Sequence, residues 1–156
     1  MSDVLFLDSG PLGLITHPQR SAEVIAIADW LKDCIRARAR IVVPAIVYYE
    51  IKRELLRANK NAGIVRLDAF VNAAPGRYVP LSDDALRRAA ELWAQSRRGG
   101  RPTADAKALD IDVLLAAQVL SLGGDAVLAT TNPKHLAPFV QARLWTDISP
   151  AMFGGP

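Results

Sequence analysis

The chain has 156 residues, a formal net charge of +3 and an apolar fraction of 51%. These values suit one soluble domain spanning residues 1–156 and exclude a disordered polyelectrolyte. No apolar run approaches the ~20 residues of a bilayer span, and a single cysteine, Cys34, excludes an intrachain disulfide and cysteine-ligated zinc.

Met1 leads directly into an apolar run without a basic leader, so a secretory signal is not expected. A reducing, cytoplasmic location is the simplest expectation. The mild positive balance is compatible with a polyanionic partner but identifies none.

The first element, Val4–Leu7, reads as a strand closed by Asp8-Ser9-Gly10-Pro11. From an N-cap at Ser21, Val24, Ile27, Ala28, Leu31 and Ile35 recur at helical spacing. Ile41–Val43 reads as a second strand, and after Pro44 a helix carries Val47, Tyr48, Ile51 and Leu55 on one face, with Ile46, Tyr49 and Leu56 on another. A break at Asn59 to Gly63 precedes a short helix from Ile64 to Ala73.

Pro75-Gly76 leads into a third strand at Arg77–Leu81, and Ser82-Asp83-Asp84 opens a helix favoured by a cap and by acids at the positive end of the dipole. Leu86, Ala89, Ala90 and Trp93 are expected to turn inward. A basic loop from Arg97 to Pro102 follows. A helix is then expected from Ile111 to Leu122, with Asp110 as its cap and Gly123-Gly124 as its stop. Ala126–Ala129 is the fourth strand and Leu144-Trp145 a short fifth.

Strands alternating with helices predict an α/β layered fold, and nearly unbroken apolar runs predict a mostly parallel sheet covered on both faces. In such sheets ligands bind beyond the carboxyl ends of the strands. Asp8 and Ser9 follow the first strand, and Thr130, Thr131 and Asn132 follow the fourth. Asp110 and Asp112 open a helix, and Glu50 interrupts an apolar helical stretch.

Taken singly, each acid is a cap, a turn residue or a solvated charge. Several gathered at one sheet edge would repel and raise one another's pKa, a cost that a hard divalent cation removes. Such a metal lowers the pKa of bound water and neutralises a phosphodiester transition state. Zinc fits poorly, because His17 and His135 have no metal-ligand spacing.

With these residues assembled, the chain resembles the PIN-domain family, in particular the VapC-type toxins of bacterial toxin–antitoxin pairs. The resemblance rests on Leu5-Phe6-Leu7-Asp8-Ser9, Pro44-Ala45-Ile46-Val47-Tyr48-Tyr49-Glu50-Ile51, Leu109-Asp110-Ile111-Asp112-Val113 and Leu128-Ala129-Thr130-Thr131-Asn132, in that order. It covers residues 3–148, leaving a short tail at 149–156.

The resemblance implies a three-layer α/β/α sandwich and an endoribonuclease using Mg2+, with Mn2+ as the alternative. Asp8 and Asp112 would bind the metal, with Glu50 as third ligand or general base. Ser9 and Thr130 would orient the acids or the scissile phosphate. The family's fourth acid matches Asn132, which cannot ionise, and Asp110 is the candidate to supply the missing charge.

The helical hairpin from Pro44 to Ala74 would hold an antitoxin and a second protomer, so a homodimer is expected. Lys52, Arg53, Arg57 and Lys60 on that hairpin, and Arg97, Arg98 and Arg101 in the later loop, are candidate RNA contacts. The three tryptophans are expected in the core.

Other enzyme folds fail at particular positions. The third strand ends at Leu81-Ser82 rather than at a phospho-accepting Asp, Gly10 stands where a haloacid-dehalogenase phosphatase has its second Asp, and no glycine-rich turn follows Leu7. The rival from another class is a non-catalytic PIN-like module that holds RNA or protein, a reading that Asn132 favours.

Overall fold

Val4–Leu7 forms strand β1, with Leu5, Phe6 and Leu7 wholly buried because both faces of the strand are covered. Around it lie β2 (Arg40–Pro44), β3 (Tyr78–Val79), β4 (Ala126–Ala129) and β5 (Ala142–Arg143). The sheet has the order β3-β2-β1-β4-β5, and every pairing is parallel. The structure is a computed structural model that describes residues 3–99, 106–122 and 125–154.

The strand order reverses between β1 and β4, whose register pairs Leu7 with Ala129. Asp8 and Thr130 therefore emerge side by side at a topological switch point, where a crevice opens in sheets of this kind. The expected layered α/β architecture with a parallel sheet is the one observed.

Among the described residues seven helices cover the sheet: α1 (Ser9–Ile15), α2 (Ala22–Arg36), α3 (Ala45–Arg57), α4 (Asn61–Asn72), α5 (Asp83–Arg98), α6 (Ala106–Ser121) and α7 (Pro133–Leu136). Helix α1 takes up residues expected only to close the strand. Asp8 caps it by accepting a hydrogen bond from the Ser9 N–H at 2.7 Å. Pro11 falls in its first turn, where a missing N–H costs nothing. Ser21 caps α2 as expected, its hydroxyl accepting from Val24 N at 3.2 Å. The inward face of α2 ends on Cys34, and Ile35 stays 44% exposed.

The turn between α3 and α4 is shorter than expected, because Asn59 takes the left-handed conformation at φ 53° and α4 already begins at Asn61. Gly63 is thus a packing residue inside α4: a Cβ there would lie 2.9 Å from Leu55 Cδ2. Ile46 turns into the core, while Tyr49 and Leu56 remain exposed.

On α5 the inward residues are Ala85, Ala89 and Leu92, and Leu86 and Trp93 face outward, which corrects the expected face. Trp30 is buried and Trp145 partly so, leaving Trp93 as the tryptophan outside the core. Helix α6 begins before Ile111, so Asp110 lies within it and is not its cap. Its expected stop at Gly123-Gly124 lies outside the described residues.

The last strand falls two residues before the expected Leu144-Trp145, and Trp145–Asp147 forms a 3-10 turn instead. Trp30 donates its indole N–H to Ile148 O at 2.8 Å, and Phe153 is buried at 2% exposure, so the core extends to the end of the described chain. Among the described residues no helix is long and apolar enough to cross a membrane.

Candidate active site

The carboxyl end of β1 delivers Asp8, and two neighbours hold its side chain. Oδ1 accepts from the Ser9 backbone N–H at 2.7 Å, and Oδ2 accepts from the Thr130 hydroxyl at 2.7 Å. Thr130 is fully buried and also accepts from the Asn132 N–H at 3.1 Å. The ends of β1 and β4 are thereby locked to one another through a carboxylate. Ser9 contributes through its backbone, so its hydroxyl is not needed for this contact.

Glu50 comes from the second turn of α3 and is half-buried. Burial, and then the nearby Asp8 and Asp112 charges, push its carboxyl up to about 7, while Arg53 partly offsets the shift. Among the described residues it makes no hydrogen bond or ion pair, and Arg53 acts on it through its charge.

The start of α3 has no side-chain cap of its own. The wholly buried Gln118 of α6 supplies one, its Oε1 accepting from Ile46 N at 3.1 Å and its Nε2 donating to Val79 O at 3.0 Å. One amide thus fixes the base of the helix that carries Glu50.

Asp112 sits in the second turn of α6. Burial raises its pKa to about 6, Asp8 adds to the rise, and His135 opposes it. The His135 Nδ1 lies 3.7 Å from Asp112 Oδ2. Asp110, two residues earlier on the same helix, is exposed on the rim. Asp8, Glu50, Asp110 and Asp112 all border one open depression of about 660 Å3, which Asn132 and His135 also line. Asn132 also precedes α7, but its side chain makes no capping hydrogen bond.

The basic residues divide. Arg53 borders the acid depression with its guanidinium 5.2 Å from the Tyr49 ring centroid. Arg57 and Lys60 join Arg53 along a neighbouring hollow. Lys52 is committed to Asp68 at 2.7 Å, beside a Tyr48 hydroxyl that donates to the same carboxylate, and so serves the α3–α4 packing. Arg97 and Arg98 are exposed at the end of α5, Arg97 over the Trp93 ring, and neither borders the acid depression. Arg101 lies outside the described residues.

His135 and Gln118 escaped sequence reasoning as site-shaping residues. A signal for His135 existed: Asn132-Pro133 is a helix start, and the third residue after Asn132 turns back toward the crevice. Gln118 had none, since its partners are 72 and 39 residues away.

The donors are hard carboxylate oxygens, with burial and neighbouring charge raising the Glu50 and Asp112 carboxyls among them, a set suited to Mg2+ or Mn2+. Among the described residues no three His, Cys, Asp or Glu side chains form a ready-made cage. Mg2+ retains several waters and takes only one or two carboxylates directly, so a paired arrangement fits it.

A family model described as PIN domain matches residues 7–136. No curated protein matches the chain. Among solved structures the chain is similar to VapBC2 from Rickettsia felis bound to a DNA fragment from its promoter, with a TM-score of 0.64, 17% identity, and 91% of this chain and 98% of that chain covered. It is similar to FitAcB from Neisseria gonorrhoeae at a TM-score of 0.61 and 16% identity, covering 92% and 99%. VapBC-1 from nontypeable Haemophilus influenzae aligns at 0.58 and 19% identity, covering 92% and 99%.

Proposed function

Since the chain belongs to the PIN domain family, we propose that it is an Mg2+- or Mn2+-dependent endoribonuclease, working as the VapC-type toxin of a toxin–antitoxin pair. The carrying observation is the convergence of Asp8, Glu50, Asp110 and Asp112, from β1, α3 and α6, on one depression at the sheet's switch point. Carboxylates that resist ionising together favour a cation, and a cation beside an open trough favours a polyanionic substrate.

In this reading Asp8 and Asp112 hold the ion, and Asp110 adds charge from the rim. When bound, the ion neutralises the phosphodiester and lowers the pKa of a coordinated water. Thr130 and the Ser9 N–H keep Asp8 in one orientation, leaving a lone pair free on each oxygen. Glu50 takes the proton from the attacking water, a role that suits a carboxyl near 7 at neutral pH. Asn132 positions the phosphate through its amide, and Arg53 attracts the strand.

The partner reading rests on the α3–α4 hairpin, where Tyr49, Leu56 and Val65 are 54%, 55% and 69% exposed. Large apolar side chains on one hairpin favour a protein interface, and we assign this one to a homodimer and a cognate antitoxin. The fold likeness to VapBC2 and FitAcB supports the same assignment. Asn132 in place of a fourth acid is the feature favouring a non-catalytic module.

Expression of the chain alone tests the whole reading. Growth should arrest, co-expression with the adjacent antitoxin frame should restore it, and Asp8→Asn should abolish the arrest. Arrest that persists in Asp8→Asn removes the nuclease mechanism, and a monomer by sedimentation removes the dimer.

A further inference from the structure

A second depression, of about 490 Å3, adjoins the acid site and shares Asp112 and His135 with it. It lies between α5, α6 and α7, and its size falls within the ~300–1,000 Å3 of clefts that hold small ligands. Its chemistry differs from that of the acid site. Buried Leu92 and Leu109 form the floor and half-buried Phe139 a wall. Gln95 and Ser96 stand at the rim, and their side chains make no hydrogen bond to another described residue. Arg88 and Lys134 bring positive charge to the edge.

The hollow on the other side of the acids is of another kind. It is bordered by Arg53, Lys60 and an Arg57 ion-paired with Glu54 at 2.9 Å, shares Ser9, Glu50 and Arg53 with the acid site, and has no aromatic ring among its described lining residues. The three depressions adjoin one another with the acids in the middle, a charged hollow without an aromatic ring among its described lining residues on one side, and an apolar, hydrogen-bonding cleft on the other.

We propose that the cleft between α5, α6 and α7 is a nucleobase subsite, which takes the base of the nucleotide next to the scissile phosphate. The Arg53–Arg57–Lys60 side holds only backbone. The inference rests on the ribonuclease reading and adds where the substrate is read. Single-stranded RNA is recognised by splaying a base onto an aromatic or apolar face and hydrogen-bonding its edge. Phe139 with Leu92 and Leu109 supplies the face, and the Gln95 amide and Ser96 hydroxyl supply donors and acceptors. Arg88 and Lys134 meet the flanking phosphate. A charged hollow without a stacking face does not distinguish bases, so sequence preference falls on one side of the cut.

The test has two arms. In the first, wild-type protein is titrated with each of the four 5′-nucleoside monophosphates, and with ribose 5-phosphate as the base-free control, while backbone amides are followed by NMR. At least one nucleotide should shift the Gln95, Ser96, Leu120 and Phe139 amides, and ribose 5-phosphate and Phe139→Ala should each weaken binding by about ten-fold. Phe139 also packs on the core, so the exposed Gln95→Ala carries this arm where Phe139→Ala fails to fold.

In the second arm, wild type and Gln95→Ala cleave an RNA pool randomised around the cut site. The variant should lose base preference on one side only. Equal affinity for nucleotides and ribose 5-phosphate, silence at those amides, or an unchanged preference in an active variant would each overturn the subsite. If wild type cuts no RNA, the ribonuclease reading fails by itself, and the mononucleotide titration still decides whether the cleft binds a base.

Discussion

Replacing Glu50 by Gln should stabilise the metal-free protein at neutral and alkaline pH. The Glu50 carboxyl ionises at its ordinary 4.5 in the unfolded chain and at about 7 in the folded one. Between those values the native state holds a proton that the unfolded state has released. Its favourable contribution is therefore complete below 4.5 and is lost as pH rises through about 7. The full shift corresponds to about 3 kcal/mol at most, and the half-exposed setting reduces it to roughly 1–2 kcal/mol after screening by water.

Gln keeps the shape without the charge and escapes the loss. Thermal melts of both proteins in chelator from pH 4 to 8 should coincide at the acid end and diverge above it. At pH 8 the variant should melt about 2–8 °C higher, given ~2–4 °C per kcal/mol for a domain of this size. Asp112, raised to about 6 by burial, tilts both curves the same way, and its repulsion of the Glu50 charge is part of the difference. A gap that does not change with pH, or a variant less stable than wild type at pH 8, would refute the argument that Glu50 is buried against like charge.

Gln118→Leu should lower the melting temperature by roughly 4–24 °C, because it strands the Ile46 N–H and the Val79 carbonyl at ~1–3 kcal/mol for each buried unsatisfied group. Cleavage should fall with it, since α3 carries Glu50; full activity and an unchanged melt would remove Gln118 as the helix anchor. Asn132→Asp should tighten Mg2+ binding and speed cleavage if the site is short of charge, while Asp110→Asn should weaken both. Calorimetry and initial rates for the two variants decide this, and no effect from either would place both residues outside the metal site.

The inner strands were legible residue by residue because burial on both faces leaves an uninterrupted apolar run: Val4–Leu7 and Ala126–Ala129 fold as their composition requires. The acids after them were legible for the same reason, since a polar residue ending such a run stands at the sheet edge. The beginning of α6 was misjudged. An Asp before an apolar run resembles a cap, yet Ala106-Lys107-Ala108 are strong helix formers with no breaker between them and Asp110.

The face of α5 was misjudged because its apolar residues do not mark a single stripe: Ala85, Ala89 and Leu92 pack inward, while Leu86, Ala90 and Trp93 stay outside. The edge strands β3 and β5 contain two residues each and leave almost no periodic signal. Gly63 looked like a break and proved to be a close approach, a distinction set by Leu55 on the facing helix. The Thr130–Asp8 bond follows from the long-range parallel pairing of β1 with β4, and the His135–Asp112 contact joins two separate helices, so local patterns do not encode their distances.

Incubation of purified protein with single-stranded RNA, with and without Mg2+ or Mn2+, tests the central claim most directly. Wild type should cut in millimolar metal, stop cutting in chelator, and regain activity when metal is restored. Asp8→Asn and Asp112→Asn should remain folded by circular dichroism and leave the RNA intact under every condition. Cleavage that survives chelation, or that persists at the wild-type rate in both folded variants, would contradict a metal-dependent ribonuclease site built on these carboxylates.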